Sequence, residues 1–124
     1  MNNKTILIVD DSATVRRQLH SLLGDNGYGV VEAEDGKKGL ETAASEQVDM
    51  FIVDVNMPVM NGIEMVSRVR ALPQYQKTPI FMLTTESTKA VMSRGKEAGA
   101  TAWIIKPFRS EILLKGIARV LGAG

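Results

Sequence analysis

Cysteine is absent from the 124 residues, which excludes disulfides and every thiolate-ligated metal centre. The single histidine, His20, lies inside a helical run between Leu19 and Leu22, so no imidazole cluster is available for zinc. There it reads as an ordinary surface or boundary residue rather than a phosphorylated histidine. Aromatics are scarce, at three Phe, two Tyr and one Trp. The basic residues are not interleaved with a row of them, which argues against a nucleic-acid surface. No apolar run approaches the length of a membrane span. The segment Met1-Asn2-Asn3-Lys4 lacks a signal-peptide pattern, so a cytoplasmic protein without a membrane partner is expected. What remains is ordinary globular composition, 44% hydrophobic and 23% charged. One domain over residues 1–124 is the natural size for such a chain.

The charge is unevenly spread. Residues 1–62 carry five Lys/Arg against ten Asp/Glu, a net −5, whereas residues 63–124 carry ten against four, a net +6. Two readings stand: scattered solvation, or an acidic pocket from the first half and a basic partner-facing surface from the second.

The sequence turns on Phe51-Ile52-Val53-Asp54-Val55-Asn56-Met57-Pro58-Val59-Met60-Asn61-Gly62. An apolar run of buried-strand type leads into an aspartate, then into Pro and Asn-Gly, which stop a strand and turn the chain. Similar runs are Thr5–Val9, a strand from Val30-Val31 towards Ala33, Pro79–Leu83 and Ala102–Ile105. Helical spacing separates them: Val15, Leu19, Leu22 and Leu23 behind an N-cap at Ser12, closed by Gly24 and Gly27; Leu40, Ala43 and Ala44; Ile63, Val66 and Val69; Val91 and Met92 behind a cap at Ser87. A last helix from near Ser110 carries Ile112, Leu113, Ile117, Val120 and Leu121 on one side. Five strand–helix alternations predict a doubly wound α/β fold, a parallel sheet with helices on both faces. Ligands of such sheets bind beyond the C-terminal strand ends, where strand order reverses. The residues at those ends are Asp10, Asp11, Asp54, Thr84 and Lys106.

Three converging carboxylates repel one another unless a cation sits among them. An all-oxygen donor set suits Mg²⁺, which keeps part of its hydration shell. Phosphoryl transfer asks for charge neutralisation and an in-line nucleophile, and little else from a protein. Asp54 is the candidate nucleophile, forming an acyl phosphate. Lys106 and Thr84 are candidates to neutralise and hydrogen-bond the phosphoryl oxygens.

Asp10-Asp11-Ser12, the string Asp54-Val55-Asn56-Met57-Pro58-Val59-Met60-Asn61-Gly62, Thr84 and Lys106-Pro107 together resemble a response-regulator receiver domain, over essentially the whole chain. The likeness is greatest to single-domain, CheY-like chemotaxis receivers. The resemblance implies a flavodoxin-like sheet of order 2-1-3-4-5. It implies phosphoryl transfer from a histidine kinase to Asp54, with Mg²⁺ held by Asp11, Asp54, the backbone carbonyl of Asn56 and, largely through water, Asp10. It further implies a cis Lys106-Pro107 bond, and a signalling protein rather than a turnover enzyme. Phosphorylation in this family draws the hydroxyl at Thr84 inward, and an aromatic at Trp103 follows.

Two residues depart from the family's common pattern. Trp103 is bulkier than Tyr or Phe, and reads equally as a two-position toggle or a fixed aromatic that partners grip. Thr85, where small residues are common, is expected to slow the attacking water and lengthen the phosphorylated lifetime. If the sheet winds as in this family, the fourth helix, fifth strand and fifth helix form one face with Lys89, Arg94, Lys96, Trp103, Arg109, Lys115 and Arg119. That face suits an acidic downstream protein, for example a flagellar motor switch, and a phosphatase is a further candidate partner. Arg16 and Arg17 on the first helix are the expected docking site for the phosphodonor. A receiver serving only as a phosphate sink is a variant of the same reading. The rival enzyme reading is an aspartyl-phosphate phosphatase of the haloacid-dehalogenase type. It requires Asp-x-Asp on the first strand, where this chain has adjacent Asp10-Asp11 and no cap segment. A flavodoxin is disfavoured because Asp10 and Asp11 would repel its phosphate.

Overall fold

Every residue of the run Met50–Asp54 is buried, as a strand covered on both faces must be. A computed structural model describes residues 4–122. The strands are β1 (Thr5–Val9), β2 (Gly29–Ala33), β3 (Met50–Asp54), β4 (Ile80–Thr84) and β5 (Ala102–Ile105). The helices are α1 (Ala13–Asp25), α2 (Gly36–Ser45), α3 (Gly62–Arg70), α4 (Lys89–Ala98) and α5 (Ser110–Leu121), with a 3₁₀ turn at Pro73–Tyr75. The sheet is parallel throughout, in the order β2-β1-β3-β4-β5. Both the doubly wound architecture and the expected strand order are therefore found. The reading of Met1–Asn3 falls outside the described residues. Among those described, no helix is long and apolar enough to cross a membrane.

Alternation along each strand splits the core in two. Leu7, Val9, Phe51, Val53 and Met82 face α2, α3 and α4, meeting Ala43, Met65, Val66 and Val69. Ile6, Ile8, Ile52, Phe81 and Leu83 face α1 and α5, meeting Leu19, Leu23, Leu113 and Ile117. Burying both faces of the central strands fixes their register, since a one-residue slip would exchange the two cores.

Three details of the helices differ from expectation. Helix α4 is capped by Thr88, whose hydroxyl accepts from Val91 N, and not by Ser87. Thr88 stands three residues before Val91, the reach a capping hydroxyl needs. Ile112 is 54% exposed, because the inner stripe of α5 runs through Leu113 and Ile117 and leaves its neighbour about 100° away. Gly24 lies inside α1, and the helix closes at Asn26 before Gly27, where φ is 88°.

Candidate functional site

The strand order reverses between β1 and β3, and the two acids that end these strands lie there side by side. Asp10 is 1% exposed. Its Oδ1 accepts from Ser12 N at 2.8 Å, while Oδ2 faces Lys106 Nζ at 2.8 Å. That contact is an ion pair of poor hydrogen-bond alignment, and among the described residues this buried oxygen has no better-placed donor. Arg16 Nη1 donates to the backbone carbonyl of Asp10 at 2.5 Å, and Arg16 Nε pairs with Glu32 at 3.3 Å. Arg16 therefore braces the pocket from the helix expected to receive the phosphodonor. Arg17 is exposed. His20, also exposed, meets Glu32 at 2.6 Å on the flank of the sheet, away from the acids.

Asp54 is the last residue of β3 and 6% exposed. The chain after it loops out and returns at Gly62, whose N–H donates to the Val55 carbonyl at 2.8 Å. A β-carbon at Gly62 would lie 2.0 Å from the Asp54 carbonyl oxygen, so only glycine lets α3 begin this close to β3. Asn61 caps α3 by accepting from Glu64 N at 2.9 Å. Val59, at the tip of the loop, has φ of 70° and is 77% exposed. A β-branched residue seldom adopts that backbone, and the Met60 N to Pro58 O bond of 2.7 Å closes the tight turn around it.

Asp10, Asp11 and Asp54 each offer a carboxylate oxygen within 4.8 Å of the others'. Asp11 supplies the exposed member and Asp10 and Asp54 the buried ones. Burial, then the Asp10 charge, pushes the Asp54 carboxyl up to about 6, against the opposing pull of Lys106, whose Nζ lies 3.5 Å away. Burial depresses the Lys106 ammonium, but its contacts with Asp10 and Asp54 outweigh that and move it upward. One lysine facing three acids leaves the pocket short of positive charge. A buried oxygen without a well-aligned donor and an all-oxygen donor set fit a hard divalent cation.

Thr84, fully buried at the end of β4, accepts through its hydroxyl from Glu86 N at 2.9 Å. The Lys106 N–H donates to the Thr84 carbonyl at 2.8 Å, tying the amine-bearing strand to the hydroxyl-bearing one. The Lys106-Pro107 peptide is cis. Asn56, exposed two residues beyond Asp54, reaches Glu86 through its side-chain amide at 3.4 Å. This contact across the pocket mouth was not foreseen, since nothing local marks Glu86. Thr85 is exposed and lines a groove with Val15, Leu22, Pro107 and Phe108. Trp103 is half-buried, packed against the core on the α4 side, rather than displayed. Lys89, Arg109 and Lys115 are exposed. Arg94 instead lines a groove with Ile63, Glu64 and Ser67 of α3, on the far side of α4 from α5.

The family described as the response regulator receiver domain matches residues 6–118. The chain belongs to that family. Its receiver is 41% identical over 121 residues to a chemotaxis protein CheY homolog of Campylobacter jejuni, covering 96% of this chain and 93% of that one. The chemotaxis protein CheY4 of Vibrio cholerae superposes with a TM-score of 0.92 at 47% identity, over 97% of this receiver and 100% of CheY4. The receiver domain of a Pseudomonas aeruginosa sensor histidine kinase superposes with a TM-score of 0.90 at 25% identity. The two cover 98% of this chain and 99% of that one, and the latter structure has a magnesium ion coordinated in its active-site cleft. The receiver is thus homologous to CheY response regulators, and the phosphatase alternative is not favoured. The geometry agrees, since Asp10 is buried while Asp11 is exposed, unlike two acids placed on one face by an intervening residue.

Proposed function

We propose that this receiver accepts a phosphoryl group on Asp54 from a histidine kinase and thereby switches its binding to a downstream protein in chemotaxis, in the cytoplasm. The observation that carries the reading is the convergence of three carboxylates within 4.8 Å, with Lys106 Nζ 2.8 Å from one and 3.5 Å from another. Asp10, Asp11, Asp54 and the backbone carbonyl of Asn56 would hold Mg²⁺. The ion, when bound, offsets the charge of the acids and of the incoming phosphoryl oxygens. One Asp54 carboxylate oxygen attacks phosphorus. The bond from phosphorus to the imidazole nitrogen of the donor breaks, and the electron pair leaves with that nitrogen. Lys106 faces the charge that accumulates on the transferred oxygens, and the Thr84 hydroxyl can turn towards one of them. Attack of water on phosphorus later returns the carboxylate and releases inorganic phosphate. The chain therefore acts as a timed switch and not as an enzyme with a substrate of its own.

The readout falls to the face of α4, β5 and α5, where Lys89, Arg109 and Lys115 favour an acidic partner and Trp103 reports on the state of the site. The similarity to chemotaxis proteins of two bacteria supports that pathway, and the magnesium in a related receiver supports the ion. Incubation with acetyl phosphate and Mg²⁺ should add one phosphoryl group, located at Asp54 by mass spectrometry. Asp54→Asn or a chelator should abolish the uptake. Phosphate on another residue, or uptake that survives both treatments, overturns the proposal.

A further inference from the structure

Helix α4 has little bulk to hold it to the sheet. Its inner face consists of Val91, Gly95 and Ala98, spaced as one helical stripe, and Gly95 is its only buried member. Glycine is a poor mid-helix residue, so its presence at the centre of a ten-residue helix asks for a local cause. The cause lies opposite. A β-carbon at Gly95 would come within 2.3 Å of Trp103 Cζ2, 3.1 Å of Cη2 and 3.3 Å of Cε2. These atoms belong to a rigid ring, which can yield only by moving as a whole. On its strand side, Trp103 is in register with Met82 of β4, and the ring packs on the same core as Val91 and Ala98.

We propose that Gly95 is the positioning residue for Trp103. The bare backbone of α4 forms the slot that holds the indole between helix and sheet, so ring and helix take their places together. The indole supplies the bulk that α4 lacks. It follows that the ring cannot swing outward without loosening α4, and α4 cannot shift without releasing the ring. The slot itself is independent of phosphorylation; its regulatory consequence rests on the function proposed above.

Trp103 is the only tryptophan, so intrinsic emission reports on it alone. In the unphosphorylated protein, Gly95→Ala should red-shift the emission and raise acrylamide quenching as the ring is driven towards solvent. A folded Gly95→Ala protein with unchanged emission and quenching overturns the proposal. A stability cycle adds a second readout. Gly95→Ala should lower the melting temperature when Trp103 is present and raise it in a Trp103→Ala background, where only the better helix propensity of alanine remains. A loss of equal size in both backgrounds overturns the proposal. The double variant also covers the case in which Gly95→Ala alone does not fold. With acetyl phosphate and Mg²⁺, the emission change on phosphorylation should be smaller in Gly95→Ala than in the parent. If the parent takes up no phosphate, the function proposed above fails, while the slot is still decided by the quenching and the cycle.

Discussion

The two ends of the sheet use the same residue type to opposite effect. At the N-terminal end, Asp49 accepts from Thr5 N at 2.8 Å and its own N–H donates to Thr5 O at 2.8 Å, so the carboxylate closes the start of β1 against β3. Nearby, the Tyr75 hydroxyl donates to the carbonyls of Ala43 and Glu46, and its ring stands edge-on to Phe51 with centroids 5.1 Å apart. At the C-terminal end, Asp10 and Asp54 are buried beside each other, with Asp10 Oδ2 met only by the poorly aligned Lys106 ammonium among the described residues and the Asp54 carboxyl displaced to about 6. One end is satisfied and holds the fold. The other is left in want of a cation, and the proposed reactivity rests on that deficit. Buried acids with strained charge mark functional sites for this reason.

The contrast breaks most visibly under paired substitutions. Asp49→Ala removes a charged acceptor from Thr5 N and should cost about 2 kcal/mol of unfolding free energy in a denaturant titration. Metal-free Asp54→Asn should gain about 1–2 kcal/mol at pH 7, because it removes a charge disfavoured first by burial and then by Asp10. The sign with pH follows from the raised carboxyl. Between the unfolded value near 3.8 and the folded value of about 6, the native state holds the proton longer than the unfolded chain. The relative stability that Asp54 contributes is thus fully present below the unfolded value and lost as pH rises through about 6. Chelated wild-type protein should show that decline in urea midpoints, and Asp54→Asn should not. Equal losses from Asp49→Ala and Asp54→Asn would erase the distinction between the two ends. The smallest effect is expected at Thr85, which stands at the mouth of the reactive end: Thr85→Ala should speed loss of phosphate by about two- to threefold, followed after removal of acetyl phosphate. An unchanged lifetime would show that its bulk does not obstruct water.

Much of the reactive end is legible in the chain because parallel α/β topology sends every strand terminus to one rim. Asp10, Asp54, Thr84 and Lys106 follow apolar runs directly, so their meeting requires only the strand order. Asn61-Gly62 marks the close return behind Asp54 in the same way. The brace from Arg16 to the Asp10 carbonyl is not legible, because the first helix fixes which face Arg16 occupies but not which atom its guanidinium reaches. The Asn56–Glu86 contact joins two loops whose relative height depends on the whole sheet. Gly95 is hidden for the opposite reason: its meaning lies in a ring contributed by another element, and a glycine among Ser93, Arg94 and Lys96 looks like a surface irregularity. Ile112 shows the remaining limit, since an apolar residue beside a buried stripe is indistinguishable from a member of it until the helix is turned onto the sheet.

Asp54 is paired to Leu83 of β4, one rung beyond the last pairing of β3 with β1 at Val53, and Gly62 is pressed against its carbonyl. A main chain held in that way has little room to recoil when its side chain gains volume. On the function proposed above, displacement caused by a phosphoryl group is expected in the connections around it, that from Thr84 to Thr88 among them. On that proposal Asp54 is the stationary part of the device, and motion belongs to what surrounds it.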